Sequence, residues 1–418
     1  MAPHMPPRPR GGDLIARRSA LSISARMIQR RSTRQVVVGD AAHGPVAIGG
    51  GAPVSVQSMT TSHTWDVPRC VDEINRLAAA GADIVRVAVP ERKDTAALKD
   101  ILPQVRVPVV ADVHFHFQRA LEAVEAGVHK IRLNPGNISD RAAVRDVIQA
   151  CRSRRIPVRV GVNEGSIVER RHSRRRAQEL AQLFSASRHA ALLGMMIARL
   201  EEYLEIFRAE DFHDIVISAK SIDPLLVIEA YTEISRRFDY PLHLGVTHAG
   251  PRETGAIRSV VPLGHLLCAG IGDTIRISYA SDPVYEVHDA LELLYVLGLR
   301  ERPGAELIAC PTCGRLQVDL LTLVQNVRRA LADEIRIPMK VAVMGCVVNG
   351  PGECEGADVA VFAGDRRGII YVQGRRVANV PEEQILPRLL DECRELQRQV
   401  LAGAARLGEK KIEIAPPA

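Results

Sequence analysis

Residues 108–137 read PVVADVHFHFQRALEAVEAGVHKIRLNPGN. A short β-branched run ends in Asp112 and His114, a helical stretch follows, and a second run opens at Lys130 and ends in Arg132, Asn134 and a Pro-Gly-Asn turn. Both runs are apolar at nearly every position rather than at alternate ones, as in a strand of a parallel sheet covered on both faces. Similar runs stand at 54–59, 84–90, 157–163, 215–220, 241–247 and 274–279, each leading into a helical stretch. Eight such units in roughly 230 residues predict a closed (β/α)8 TIM barrel. The rival, an open doubly wound sheet, usually has fewer strands and a Gly-rich phosphate loop after the first; no GxGxxG occurs here.

The spacing breaks once, at 169–211. This insertion opens with Arg170, Arg171, Arg174, Arg175 and Arg176. Leu180, Leu183, Phe184, Leu192, Leu193, Met196, Ile197, Leu200, Leu204 and Phe207 then recur at helical spacing. The pattern predicts a helical hairpin on the barrel with a solvated basic start. After residue 300 the pattern changes to a Cys-bearing loop, a helix at 318–331, strands at 340–344, 359–363 and 368–372, a Gly/Pro loop at 345–356 and a last helix at 382–402. We therefore expect a barrel over 31–300 and a small α/β domain over 301–418. Residues 1–30, rich in Pro and Arg, are expected to be a disordered extension, or to precede a true start at Met27.

Composition bounds the function. The chain has 418 residues, 46% hydrophobic and 25% charged, an ordinary globular balance. Aromatics at 4% argue against stacking platforms for single-stranded nucleic acid. No apolar run approaches the ~20 residues that span a bilayer. Eight cysteines are spread unevenly, which reads as metal chemistry in a reducing, cytoplasmic setting rather than as disulfides. Cys70, Cys151, Cys268 and Cys393 are isolated and read as buried filler.

Barrel chemistry sits at the C-terminal ends of the strands. Those ends supply Arg86, Asp112, His114, Arg132, Asn134, Arg159, Asn163, Lys220, His243, His248, Arg276 and Ser278. A cation inside an apolar strand is costly unless paired or hydrated. Asp112 alone cannot neutralise Arg86, Arg132, Arg159, Lys220 and Arg276 converging on one mouth. A ligand with several negative charges can, and phosphate or diphosphate matches the arginine fork. The net charge of +6 is thus spent on a pocket, which argues against nucleic acid as partner. His248 and Asp112 are the proton-transfer candidates, or orient a neighbour.

Cys310-Pro-Thr-Cys313 is a CxxC loop, and Met344-Gly-Cys346 opens a Gly/Pro-rich stretch running to Glu353. Three thiolates and one more ligand would hold a zinc ion or a cubane cluster. With Cys354 as fourth ligand the set approaches a structural zinc site; with Glu353 an oxygen ligand leaves one corner exchangeable, which suits a catalytic cluster.

These residues carry a resemblance. Ser32-Thr-Arg34, Val56-Gln-Ser-Met-Thr60, Gly81-Ala-Asp-Ile-Val-Arg86, Ala111-Asp-Val-His114, Ile131-Arg-Leu-Asn-Pro-Gly-Asn137, Arg159-Val-Gly-Val-Asn163, Gly270-Ile-Gly-Asp-Thr-Ile-Arg276, Ala309-Cys-Pro-Thr-Cys-Gly-Arg315 and Met344-Gly-Cys-Val-Val-Asn-Gly-Pro-Gly-Glu353 together resemble the 4-hydroxy-3-methylbut-2-enyl diphosphate synthase family, the iron–sulfur enzymes of the methylerythritol phosphate pathway. The resemblance implies a [4Fe-4S] cluster on Cys310, Cys313, Cys346 and Glu353. It implies 2-C-methyl-D-erythritol 2,4-cyclodiphosphate as substrate and (E)-4-hydroxy-3-methylbut-2-enyl diphosphate as product. It implies flavodoxin or ferredoxin as electron donor, and a homodimer in which the cluster domain of one subunit caps the barrel of the other. The family usually carries Glu where this chain has His248, so His248 is the candidate acid in its place.

Two other readings set the contrast. One is a non-redox barrel enzyme of a phosphorylated or pterin substrate with a structural zinc site. The other is an iron sensor binding RNA through the Arg170–Arg176 run. If Glu353 is the exchangeable ligand, Glu353→Ala keeps most of the iron and loses turnover. Iron counting beside an activity assay checks this, and wild-type turnover in the variant would sink the assignment.

Overall fold

The computed structural model describes residues 28–114, 116–135, 140–167, 188–346 and 356–408. The basic run at 170–176, Glu353, Cys354 and most of the expected extension lie outside the described residues. The chain divides into two compact units between Arg300 and Glu301.

The first unit is a ring of parallel strands: β3 (Ser55–Met59), β4 (Ile84–Ala88), β5 (Val109–Asp112), β6 (Lys130–Leu133), β7 (Val158–Asn163), β8 (Ile215–Lys220), β9 (His243–Leu244) and β10 (Thr274–Ile275). A parallel bridge between Ile217 and Leu242 closes the ring between β8 and β9. The last two strands are shorter than the expected runs at 241–247 and 274–279. Beyond them single bonds continue the contact, with the Arg276 amide donating to the Leu244 carbonyl at 3.0 Å and the Thr247 amide to Ser221 at 3.1 Å. Gly245 sits where a Cβ would meet Lys220 Nζ at 2.5 Å and the Arg276 carbonyl at 2.7 Å, so the chain there is drawn close to the axis.

Helices alternate with the strands: α1 (Val67–Ala79), α2 (Arg92–Ile101), α3 (Phe117–Ala126), α4 (Arg141–Arg154), the short α5 (Glu164–Ile167), α6 (Arg188–Ala209), α7 (Pro224–Arg237), α8 (Arg252–Cys268) and α9 (Pro283–Val296). Asp140, Asp223 and Asp282 cap their helices by accepting from the amides of Ala142, Leu225 and Val284 at 2.9–3.1 Å, and proline opens α7 and α9. From the insertion, α6 buries Met196, Ile197, Leu200, Leu204 and Phe207 in the core between sheet and helices.

One element escaped the sequence reading. β1 (Gln35–Val38) and β2 (Val46–Gly49) form an antiparallel hairpin. Its Val36, Val38 and Ile48 pack against Ile84, Val110 and Val216, the lowest inward residues of three barrel strands. The hairpin therefore plugs the end of the barrel opposite the strand C-termini. Residue 30, expected to lie in a disordered extension, is also tied down. The Arg30 guanidinium donates to Asp273 at 2.8 Å, and Arg31 donates to the Phe238 and Tyr240 carbonyls.

The second unit is a five-stranded sheet in the order β11 (Glu306–Ala309), β12 (Lys340–Met344), β13 (Val359–Gly364), β14 (Arg367–Val372), β15 (Arg375–Pro381). β11 to β13 run parallel and the last two antiparallel. Helices α10 (Leu320–Glu334) and α11 (Ile385–Leu401) share one apolar cluster with the sheet, through Val327, Leu331, Leu389 and Cys393. β11 and β15 were not expected. β15 is an edge strand of exposed and half-exposed residues, which leaves no apolar signal. Among the described residues no helix is long and apolar enough to cross a membrane.

Candidate active site

A closed sheet with a one-residue stagger per strand stacks its inward side chains in layers, each from alternate strands. The register pairs place Ile84, Lys130, Val216 and Thr274 in the lowest layer, and Gln57, Val110, Arg159 and His243 in the next. Arg86, Arg132, Ser218 and Arg276 follow, then Met59, Asp112, Gly161 and Gly245, and at the mouth Ala88, Asn134, Lys220 and Ser278. The intervening residues, such as Val85, Ile131, Val158 and Ile275, point outward into the helix-facing core. Barrels of this fold normally fill their axis with branched apolar side chains. Here only Ile84, Val110 and Val216 do so.

The upper layers open into a cavity of about 210 Å³ lined by Arg86, Asp112, His114, Arg132, Arg159, Asn163, Ser218, Lys220, Arg276 and Ser278, with Val246 and Thr247 at its side. Nine residues singled out from the sequence thus share one wall. Asn134 is buried at the mouth and accepts from the Ser166 hydroxyl at 3.2 Å, beside the cavity rather than in its lining. His248 follows Thr247, is exposed, and has a left-handed backbone with φ of 54°, a conformation non-glycine residues seldom adopt. A larger cleft of about 700 Å³ lies outside the ring between α6 and α7, but apolar groups and paired surface charges line it.

Charge dominates the cavity. Asp112 takes Arg132 Nη1 at 3.1 Å, with Arg86 Nε and His114 Nε2 each at 3.5 Å. Burial alone would raise the Asp112 carboxyl, but Arg86, Arg132 and His114 outweigh it and hold it well below the usual carboxylate range. In that state it pairs with the forks of Arg132 and Arg86. Arg86 also donates to the Met59 sulfur at 2.9 Å. Burial brings the Arg86 guanidinium down to about 9 in spite of Asp112. Burial, then the neighbouring arginines, pushes Lys220 well below the usual lysine range. Arg276 is lowered by burial, with Glu286 at 3.8 Å opposing; the Glu286 carboxyl is itself raised by burial. The cavity is a set of fixed donors short of negative charge.

Sequence reasoning missed two interior residues of this set. Lys130 is fully buried beneath the cavity, and Glu286 reaches Arg276 from the first turn of α9. Lys130 could have been found by strand alternation, since it stands two residues before Arg132 on the same face. Glu286 gave no signal, because its approach depends on tertiary packing.

In the second unit, Cys310 and Cys346 leave the carboxyl ends of the adjacent parallel strands β11 and β12, whose register pairs Ala309 with Val343. Cys313 is exposed on the loop after Cys310, and all three are free thiols. The Gly345 amide donates to the Cys310 sulfur at 3.2 Å. A Cβ at Gly345 would lie 2.2 Å from Leu316, so only glycine lets this amide come so close. Three soft sulfur donors at one sheet edge, one already held by an amide, fit a metal cofactor bound through thiolates. The isolated Cys70, Cys151 and Cys393 are buried, as expected of filler, whereas Cys268 at the end of α8 is exposed.

A second group with metal-ligating atoms, Asp40, His43 and His129, lies at the plugged end of the barrel. His129 Nδ1 accepts from the Val109 amide at 2.9 Å. Its proton is then on Nε2, which faces Asp40 as a donor and not as a ligand.

Comparison with known proteins agrees with both units. The GcpE TIM-barrel domain model matches residues 33–291 and the GcpE protein C-terminal domain model matches 306–395. A protein of Symbiobacterium thermophilum is 46% identical over 365 residues, covering 87% of this chain and 93% of its own. One of Thermodesulfovibrio yellowstonii is 43% identical, covering 88% and 100%, and one of Geobacillus kaustophilus is 43% identical, covering 90% and 95%. Each bears the name 4-hydroxy-3-methylbut-2-en-1-yl diphosphate synthase (flavodoxin).

The charge imbalance has a measurable consequence. An unfolded lysine titrates near 10.4 and Lys220 titrates lower in the fold, so between the two values the unfolded chain binds more protons and stability rises with pH. Inorganic pyrophosphate should restore the charge, flatten that rise, and at 100 times its Kd add about 2.7 kcal/mol of stability. Thermal unfolding followed by circular dichroism from neutral to alkaline pH checks this. Lys220→Met should remove that part of the rise and weaken pyrophosphate roughly tenfold or more.

Proposed function

This chain belongs to the GcpE family, and from that membership we propose that it is a 4-hydroxy-3-methylbut-2-en-1-yl diphosphate synthase. It opens 2-C-methyl-D-erythritol 2,4-cyclodiphosphate reductively to (E)-4-hydroxy-3-methylbut-2-enyl diphosphate. Two electrons and two protons enter, the ring carbon–oxygen bond to phosphate breaks, and one water leaves. The observation that carries this reading is the cavity itself: Arg86, Arg132, Arg159, Lys220 and Arg276 around the single carboxylate of Asp112.

In this reading the buried cations hold both phosphates of the ring. Asp112, fixed by Arg132 and Arg86, keeps two of the forks aimed at the phosphate oxygens. Charge grows on a phosphate oxygen as its bond to carbon breaks. Donors already in place stabilise that charge without reorganising. Asn163, Ser278 and His114 supply further polar contacts to the sugar-derived carbons' oxygens. His248, beside the lining residue Thr247, is the proposed proton source.

Cys310, Cys313 and Cys346, with Glu353 as fourth ligand, would hold a [4Fe-4S] cluster, which when bound supplies the electrons one at a time from reduced flavodoxin. The Gly345 amide and its close approach to Cys310 support that assignment. We place the enzyme in the cytoplasm as a homodimer. Ile257 and Val261 on α8 and Val296 on α9 are exposed apolar side chains that give such an assembly a surface. A non-redox barrel enzyme with a zinc-stapled tail is not favoured, because the relatives are named for the reductive synthase.

Protein purified without oxygen and supplied with reduced flavodoxin and the cyclodiphosphate should form the open-chain diphosphate and contain about four irons per chain. Zinc in place of iron, or no product from iron-loaded protein, would overturn the reading.

A further inference from the structure

Below the cavity the barrel axis holds a second group of polar side chains, of which the proposed reaction uses only Arg159, at the cavity floor. Lys130 Nζ, both ring nitrogens of His243, Nε and Nη1 of Arg159, and both amide atoms of Gln57 are buried without a hydrogen-bond partner. The four residues are at most 1% exposed. They come from β6, β9, β7 and β3 and belong to the two lowest layers, so their side chains point at one stretch of the axis. Thr274, in the same layer as Lys130, adds a hydroxyl that also lacks a partner.

The surroundings are closed. Ile84, Val110 and Val216 flank the group within its own two layers, and the hairpin residues Val36, Val38 and Ile48 pack against them and close it from below. Arg86, Arg132 and Arg276 form the layer above. The nearest carboxylate on the axis is Asp112, two layers higher and engaged by Arg132, Arg86 and His114. Each unpartnered buried donor gives up its hydration for nothing in return, at the greatest cost where it is charged. Several at one place, two of them cationic, demand a partner that accepts hydrogen bonds and carries negative charge.

We propose that the barrel axis holds a structural anion site between Lys130, Arg159, His243 and Gln57, taking a small monoanion of the halide class. A diphosphate in the cavity reaches Arg159 but not Lys130, His243 or Gln57, none of which line it. A single-atom anion accepts from all four side chains at once, whereas water would satisfy donors without offsetting charge. Burial depresses the protonation of both cations, aided by the charges of Arg159 and Arg86 at Lys130 and of Arg86 and Arg132 at Arg159, and the bound anion reverses that tendency. The site also sets the charge under the arginines of the cavity floor, so it tunes substrate binding without touching the substrate.

Diffraction at the bromine edge, on crystals of the unmodified protein grown in bromide, locates the ion. An anomalous peak within reach of Lys130 Nζ and Arg159 supports the site. In solution, exchanging gluconate for bromide at constant ionic strength between about 1 and 100 mM should raise Tm by about 2 °C per tenfold step. Lys130→Met should abolish that rise. No peak, water at the position, or a peak without any bromide dependence of Tm in the wild type would overturn the proposal. If Lys130→Met does not fold, the diffraction and the wild-type titration still decide it.

Discussion

Unlike charges on the barrel axis do not balance, and most of what is unusual in this protein follows from that. Arg86, Lys130, Arg132, Arg159 and Lys220 are buried, and Arg276 half-buried, along or beside the axis, with Asp112 and Glu286 as the carboxylates that reach them. Like charges in a low-dielectric interior repel strongly, and each also loses its hydration. The fold tolerates this because the rest of the barrel is firmly built. The outward faces of the strands form one apolar core with the helices, and the hairpin closes the far end against water. Stability is held in the shell, and the axis is left free for chemistry.

That division explains what could be read from the sequence. The outward residues are apolar and β-branched, so β3 to β8 announce themselves by composition. The inward cations stood out against that background, and Arg86, Arg132, Arg159 and Arg276 pointed to a polyanion before any geometry was known. Lys130 was overlooked because it opens its strand, where a polar residue passes for the end of a loop. β9 and β10 were drawn too long, since an apolar run cannot say where Gly245 takes the chain out of the ladder. The hairpin was missed for a different reason. Its strands are four residues each, and only the closed barrel supplies the apolar surface that makes them worth forming. Whether Asp112 moves a proton or orients a neighbour was left open by the sequence, because its distances to Arg132, Arg86 and His114 depend on the closed barrel.

The second unit solves a separate problem, how to present sulfur ligands at defined positions. Two parallel strands in register deliver Cys310 and Cys346 to the same sheet edge, and the CxxC loop adds Cys313. Gly345 is required because Leu316 occupies the space a side chain would take. The motif's glycine and cysteines are thus one steric and chemical unit, which is why the sequence alone could identify it.

The central claim is that cations whose charge burial opposes await a substrate of several negative charges. Each phosphorus of the cyclodiphosphate carries one ester and one anhydride bond, which leaves a single strongly acidic oxygen and no proton to release near pH 8. Its binding should therefore draw protons onto Lys220 and its neighbours. Calorimetry in buffers of different ionisation enthalpy measures this directly. The account predicts net proton uptake on binding, growing as pH rises. Binding with no uptake, or with release, would contradict it.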